Sequence, residues 1–215
     1  LYFYDLNAKA NYQINAKNKV YISGYFGRDE LGLGQDFGID WGNKTGTIRW
    51  NKIISNRLFL NTSLIYSDYN YNVKLKNGET NFNINSNIKD VNLKQDYTLY
   101  ANGLNTLRFG FNTILHTITP STFSGTVINS VAKEGRNGLE NALYLTNNYR
   151  ANNQLTIDYG MRLSTYTLMG GDVYNIYENG VVKSSVKLNR SSFGKTYANL
   201  EPRITTNYRI SDETS

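Results

Sequence analysis

Apolar and polar residues alternate along residues 154–167, and this alternation limits the possible fold more than any other feature of the sequence. Leu155, Ile157 and Tyr159 are separated by Thr156 and Asp158. Successive side chains of a β-strand point to opposite faces of a sheet, whereas apolar residues on one face of a helix recur every three or four positions. The segment is therefore predicted to be a strand with one apolar and one polar face.

The same alternation recurs along the chain and predicts an all-β fold. No stretch reaches the roughly 18 consecutive apolar residues that a membrane-spanning helix requires. The 18 Tyr and 18 Gly favour strands and turns, and the absence of Cys excludes a disulfide framework. Nine strands are predicted, at residues 4–14, 19–28, 45–54, 58–73, 88–100, 106–118, 141–150, 154–167 and 200–210.

The connections between these strands alternate in length. Outer-membrane barrels show this pattern, with short periplasmic turns and long extracellular loops. The sequence therefore predicts an antiparallel transmembrane β-barrel in the bacterial outer membrane, in contact with its lipid. The short turns are predicted at residues 16–18, 55–57, 102–105, 151–153 and 211–213, and the long loops at residues 29–44, 74–87, 119–140 and 168–198.

The odd number of strands predicts a partial barrel. Single-chain bacterial barrels have an even number of strands, and an open sheet edge in lipid leaves backbone groups unsatisfied. We therefore expect residues 1–215 to be a segment of one barrel domain, with the closing strands outside this sequence.

Short strand motifs lie at residues 4–9, 21–29, 37–38, 41–43, 48–51, 60–69, 159–164 and 200–204. Together they resemble the barrel of Bacteroidetes-type TonB-dependent receptors, and the resemblance covers nearly all of the chain. It implies a barrel of about 22 strands closed by a plug domain, which precedes the barrel and is expected outside this sequence.

This resemblance implies active import of a scarce nutrient, such as a metal chelate, a vitamin, a glycan or a peptide. The implied partners are the TonB complex, contacted through N-terminal parts outside this sequence, a small nutrient ligand and a surface lipoprotein lid. No cofactor is implied. In the family, charged wall residues contact the plug, so we expect the charged residues on the polar faces of the strands to do the same.

Charges facing lipid at the middle of the membrane cost roughly 2–4 kcal/mol for Arg or Lys, so charged residues of the strands are expected to face the lumen. His116 is included as a polar lumen residue. The predicted plug-facing set is Asp5, Lys9, Lys94, Asp96, Arg108, His116, Asp158, Arg162, Glu201, Arg203 and Arg209.

Aromatic residues near the strand ends are candidate anchors at the membrane interface, where rings with one polar edge are favoured. The predicted anchors are Tyr4, Trp50, Tyr149 and Tyr208. Trp41, at the base of the first long loop, is instead a candidate for ligand binding by stacking. Ligand contact is otherwise expected in the loops at residues 119–140 and 168–198.

Other chemistry is weakly indicated. Asp29, Glu30, Asp36 and Asp40 lie in a glycine-rich loop and offer oxygen ligands for calcium, but their spacing matches no EF-hand loop, so no metal site is predicted. The single His116 has no evident carboxylate or nucleophile partner, so no enzyme is predicted. The net charge of +6 is spread along the chain, which argues against nucleic-acid binding.

Two alternatives remain open at this stage. A passive porin, or another outer-membrane barrel, has the same strands and loops. A soluble β-sandwich that binds a ligand has the same alternation, because its polar faces look to water. The membrane prediction therefore depends on loop lengths and strand number, and the import prediction depends on the family resemblance.

Overall fold

The computed structural model of the chain is built almost entirely of β-strands. It describes residues 1–34, 36–78, 80–125, 135–170, 173–189 and 192–210. Within these ranges, no helix is long and apolar enough to cross a membrane. The strands are β1 (Tyr2–Asn15), β2 (Asn18–Leu33), β3 (Phe37–Ile53), β4 (Leu58–Asn77), β5 (Thr80–Tyr100), β6 (Asn105–Gly125), β7 (Arg136–Arg150), β8 (Leu155–Met169), β9 (Val173–Glu178), β10 (Val181–Lys187) and β11 (Phe193–Tyr208).

Nine of these strands form one antiparallel sheet, in the order β1, β2, β3, β4, β5, β6, β7, β8 and β11. Each strand pairs with its neighbour in the chain, except that β9 and β10 form a separate two-stranded sheet before β11. Within the described residues the nine-stranded sheet is not closed, since β1 and β11 each have one partner. The nine strands predicted by alternation are therefore all present. Each extends beyond its predicted range at the end that lies away from the short turns.

Continuous pairing gives the sheet two faces of different chemistry. Cross-strand partners lie on the same face, so a row of partners can be followed from β1 to β11. We call the face that carries Leu6 the apolar face and the face that carries Asp5 the polar face. One row of the apolar face is Tyr12, Val20, Trp50, Thr62, Gln95, Phe111, Leu143, Leu163 and Leu200, and one row of the polar face is Asn11, Tyr21, Arg49, Ser63, Lys94, Asn112, Ala142, Ser164 and Asn199.

The strands end at different heights on the two sides of the sheet that the strand ends form. On one side, which we call the short-turn edge, strands are joined at residues 16–17, 54–57, 101–104 and 151–154. On the opposite side, which we call the tall edge, the strands extend further, and β5 has a length of 21 residues, about 70 Å of extended chain. A strand needs only about 9 to 11 residues to cross a bilayer. The sheet therefore rises well beyond the length of one membrane span at the tall edge only.

Two connections predicted as loops are largely strand. Residues 29–33 and 37–44 belong to β2 and β3, and residues 74–77 and 80–87 belong to β4 and β5. The hairpins turn tightly, with Gly34 and Gly78 in the left-handed region at φ 65° and 60°. Alternation continues in these extensions with its phase reversed, since Ile39, Val73 and Ile84 form a row on the polar face while Asp40 and Lys74 lie on the apolar face. The extensions thus lie beyond the point at which the apolar side chains change face.

The last long connection contains a hairpin that the sequence prediction missed. Asn179 and Gly180, between β9 and β10, both have positive φ, at 51° and 80°. Two such residues form the two-residue turn that matches the twist of a hairpin, and Asn-Gly is its usual sequence. The Asn-Gly pair in the sequence was the signal for this element. Parts of the predicted connections, at residues 126–134, 171–172 and 190–191, and the predicted turn at residues 211–213 lie outside the described residues.

Three of the four short turns in the described part of the chain share one hydrogen-bonding arrangement. The Asn152 Oδ1 atom accepts from the backbone N–H groups of Gln154 and Leu155, both at 2.8 Å. Asn102 Oδ1 and Ser55 Oγ accept in the same way from residues two and three positions later. Short polar side chains favour such turns because they satisfy backbone donors that the reversal of the chain leaves unpaired.

We therefore predict that Asn152→Ala destabilises the sheet. Two backbone donors lose their acceptor, which we expect to lower the free energy of unfolding by about 1 kcal/mol. Urea unfolding of the full-length protein measures the change. The neighbouring Asn153 is equally exposed and makes no such bond in the described structure, so Asn153→Ala is the matched control. Equal effects of the two substitutions would contradict this account of the turn.

Candidate functional site

Charged side chains of the polar face form a network across β5, β6, β7, β8 and β11. Lys94 Nζ lies 3.2 Å from Asp96 Oδ1, and the Tyr144 hydroxyl donates to the same carboxylate. These groups meet because Asp96, Gly110, Tyr144, Arg162 and Glu201 follow one another in a single cross-strand row. Gly110 leaves room on the face for the tyrosine ring of the next strand.

The network continues along β8 and β11 through a serine. Arg162 Nε donates to Ser164 Oγ at 3.1 Å, and Ser164 Oγ donates to Glu201 Oε1 at 2.6 Å. Glu201 also accepts from Arg203 at 3.1 Å. The residues of the network line an open hollow of about 450 Å³, whose charged members are Lys94, Asp96, Arg162, Glu201 and Arg203. Cations and carboxylates are thus interleaved in this hollow.

His116 has two carboxylate neighbours, contrary to the expectation from sequence. Its Nδ1 atom lies 2.8 Å from Asp90 Oδ1 and its Nε2 atom lies 3.7 Å from Glu140 Oε2. Glu140 in turn lies 3.7 Å from Arg162. A catalytic triad requires a hydroxyl or thiol nucleophile at one ring nitrogen, whereas both nitrogens here face carboxylates. The histidine thus joins the charged network of β5 to β8.

The remaining predicted wall residues also belong to the polar face but stand apart from this network. Asp5 and Lys9 lie on β1, at the opposite end of the sheet. Asp158 accepts from Asn148 Nδ2 at 2.8 Å, and Arg108 lies opposite Thr98 and Thr146. Arg209 follows β11, where its backbone N–H donates to the Gln154 carbonyl at 2.8 Å.

Several charged residues of the polar face were missed by the sequence prediction. Arg49 lies between Ile48 and Trp50, and that alternation was the available signal. Asp90 and Lys19 have an apolar neighbour on one side only, which is a weaker signal. Glu140 was missed because it was assigned to a loop, whereas the structure places it in β7 opposite Ile114 and Tyr166. Tyr144 carries no charge, and its contact with Asp96, 48 residues away, left no signal in the sequence.

The predicted interface anchors all lie on the apolar face. Trp50 is near the short-turn edge, where its Nε1 atom donates to Asn18 Oδ1 at 3.0 Å and Lys52 Nζ lies 5.2 Å from the ring centroid. Tyr149 and Tyr208 lie opposite Ile157 and Leu155 near the same edge. Tyr4 lies higher in the sheet, with its ring 5.5 Å from that of Phe26.

The apolar face ends towards the tall edge at a row whose middle members are charged. This row contains Lys44, Asp68 and Lys89, with Phe26 and Thr117 on either side. Above it, on the same face, Arg28 forms an ion pair of 2.7 Å with Asp40. Charges on both faces indicate that both faces meet water at this height, because an unpaired charge is costly in an apolar medium.

The acidic residues considered as calcium ligands are separated by this arrangement. The Asp40 carboxylate is 6% exposed and contacts Arg28, Lys74 at 3.8 Å and Asn72 Nδ2 at 3.2 Å. Its charge is thus already balanced by cations of its own sheet. In the described ranges there is no group of three or more His, Cys, Asp or Glu residues that could hold a metal ion.

Trp41 lies within a strand and not at the base of a loop. It occupies β3 on the polar face, with Asp29 of β2 and Tyr71 of β4 as its cross-strand neighbours. The predicted loop position was wrong because β2 and β3 extend further than their alternation shows. The indole therefore belongs to the wall near the tall edge.

An open antiparallel sheet with one apolar and one charged face has the architecture of part of a membrane β-barrel wall. A solved structure with this fold is the ferric-catecholate import receptor Fiu from E. coli K12, in its open form, with a TM-score of 0.58 and 10% sequence identity. The match covers 98% of this chain, which spans 45% of Fiu. No family model and no curated protein sequence matches the chain. The predicted fold class, an all-β antiparallel sheet forming part of a barrel, is confirmed.

We predict that Gly110→Ala disrupts the charged network locally. A Cβ atom at this position would lie 2.0 Å from the backbone oxygen of Gln95 and 2.7 Å from the Tyr144 hydroxyl, so the backbone must shift. Such overpacking typically costs about 1–3 kcal/mol. Urea unfolding of the full-length protein measures this loss. Gly46→Ala is the control, since a Cβ there meets no atom within 4 Å, and an equal loss in both variants would argue against the steric explanation.

Proposed function

We propose that this chain forms part of the wall of an outer-membrane receptor that imports a small nutrient actively, with TonB as the source of energy. The observation that carries the proposal is the apolar face. Leu143, Met161 and Leu200 are 59%, 51% and 56% exposed, and Ile204 is 75% exposed. Only Leu60 and Ala142 count as buried apolar residues in the described ranges.

This exposure favours a membrane barrel over a soluble sandwich. A sandwich buries its apolar face against a second sheet, about 10 Å away. The other sheet among the described strands is the small hairpin of β9 and β10, which pairs only with itself. A lipid bilayer provides the apolar surroundings that the face lacks in water. The candidate anchors Tyr4, Trp50, Tyr149 and Tyr208 would then lie at its two interfaces.

The charged residues of the polar face support the proposal that a plug domain fills the lumen of the barrel. A barrel of about 22 strands encloses a lumen wide enough to hold a plug. The eleven predicted wall residues lie on the polar face or, in the case of Arg209, directly after β11. We propose that they contact the plug domain of the full-length protein through hydrogen bonds and ion pairs. Of these residues, Lys94, Asp96, Arg162, Glu201 and Arg203 form the shared hollow.

The identity of the imported nutrient is a separate proposal. Fiu is described as a ferric-catecholate import receptor, which agrees with a metal chelate among the nutrients considered. The strand motifs favour the Bacteroidetes-type subfamily, and with it a surface lipoprotein lid as a further partner. Trp41, near the tall edge of the polar face, and the connections at residues 119–140 and 168–198 are the proposed places of ligand contact. The proposed role is transport and not catalysis.

Energy-dependent uptake tests the proposal directly. The full-length protein, expressed in a host lacking its own receptor for the nutrient, should support accumulation of a ferric catecholate or another candidate nutrient. Accumulation should disappear when tonB is deleted. A passive porin would instead retain uptake without TonB and would conduct a steady ion current in planar bilayers, so these two results would overturn the import proposal.

The membrane position predicts different effects for two adjacent residues of β11. Leu200→Arg places a charge on the apolar face and should cost about 2–4 kcal/mol in a bilayer. Asn199→Arg places the same charge on the polar face and should cost little. Both positions are exposed, so a water-soluble sheet should tolerate both changes. Folding of the full-length variants into lipid vesicles, followed by urea unfolding, measures the difference in stability. Equal stability of the two variants would contradict the proposal that the apolar face lies in a membrane.

A further inference from the structure

The polar face has a second chemical region, over β1, β2 and β3. An open hollow of about 580 Å³ lies there, and its charged lining residues are Lys9 and Arg49. Asn11, Tyr21, Ser23, Thr47 and Asn51 provide amide and hydroxyl groups. No Asp or Glu lines it. The hollow thus offers positive charge and hydrogen-bond donors together.

An adjoining hollow of about 350 Å³ has the same character. It shares Tyr21 and Asn51 with the first hollow and is lined by Lys17, Lys19 and Lys52, again without an Asp or Glu. Lys19 Nζ lies 4.9 Å from the Tyr21 ring centroid, which holds this ammonium group beside the boundary between the two hollows. Lys52 shares the apolar face with Trp50, so the positive charge added on the polar face and its adjoining turn is that of Lys17 and Lys19.

The carboxylates of the polar face lie too far away or are already paired. Asp5 is on β1 with Lys9 but four residues away, which is about 13 Å along a strand. Asp96 is two strands from Arg49, about 10 Å, and is bound to Lys94 and Tyr144. The Arg49 side chain donates from Nε to the neutral Ser63 hydroxyl at 3.2 Å. Arg49 and Lys9 thus have no carboxylate partner within the described residues.

The two ends of the sheet differ in this respect. In the hollow over β5 to β11, three cations are matched with Asp96 and Glu201. Over β1 to β3, four cations of the polar face and its adjoining turn line two hollows that contain no carboxylate. Positive charges in a cleft attract anions, and a guanidinium group can bind a carboxylate or phosphate with two parallel hydrogen bonds.

We propose that the hollow over β1 to β3 is an anion-binding site that takes a carboxylate or phosphate oxyanion. Arg49 binds the oxyanion through its free guanidinium nitrogens, Lys9 neutralises it from the neighbouring side, and Ser23, Thr47 and Asn51 donate hydrogen bonds. The oxyanion belongs either to an acidic side chain from another part of the full-length protein or to a free anionic solute. The first source rests on the proposed contact of Lys9 with the plug domain, whereas the second does not depend on the proposed import.

Two measurements on the full-length protein distinguish the sources. The first is isothermal titration with inorganic phosphate and with citrate. A free-solute site should bind at least one of them, and Arg49→Gln should weaken binding at least fivefold. The second is zero-length crosslinking with a carbodiimide, followed by mass spectrometry. A carboxylate from the same protein should become joined to Lys9, and Lys9→Gln should remove that crosslink.

Matched variants keep the test decisive. Arg108→Gln removes a cation from the same face outside the hollow and should leave anion binding within twofold of the unchanged protein. Lys9 is exposed on β1, so Lys9→Gln provides a variant that folds even if Arg49→Gln does not. Binding of neither anion, together with no crosslink at Lys9, would overturn the anion site. Uptake of the nutrient is measured separately, so that outcome would leave the proposed import standing.

Discussion

The antiparallel hydrogen-bond ladder fixes the register of the nine strands, and the chemistry of both faces depends on this register. Five of the eight strand pairs have no register shift, and the shifts in the other three lie near strand ends, as at Gln13 in β1 and at Asn85 in β5. A slip of one residue would move every side chain of a strand to the opposite face. Leucines would then face the charged network and charges would face the apolar side. The continuous ladder is therefore as necessary as the sequence pattern for keeping apolar side chains on one face and charged side chains on the other.

The register also decides where charges are balanced on the polar face. Asp96, Tyr144 and Arg162 come from three different strands and meet because they share one cross-strand row. At the other end, Tyr21, Arg49 and Ser63 share the neighbouring row without any carboxylate. In one region of the polar face the cations are therefore paired with carboxylates of the same sheet. In the other region the positive charges have no carboxylate partner among the described residues.

The tall edge shows the limits of alternation as a signal. Alternation shows that the two sides of a strand differ, but it does not show which side of the sheet is apolar at every height. At the tall edge its phase reverses, because Ile39, Val73 and Ile84 lie on the polar face. Arg28 and Asp40 pair on what is, lower down, the apolar face. The change from Phe26 to Arg28 along β2 thus marks the height at which the apolar face ends.

The sequence alone determined the all-β fold, the nine strands of the large sheet and the shared face of the predicted wall residues within those strands, because alternation is a local property of each strand. It did not determine that Lys44, Asp68 and Lys89 lie on the apolar face. It also determined the short turns, where Asn102 and Asn152 satisfy nearby backbone donors. Only the tertiary structure decided which charges meet. His116 contacts Asp90 and Glu140, at sequence separations that no local pattern encodes. Such contacts are set by the pairing register of neighbouring strands, and this register arises only when the whole sheet has formed.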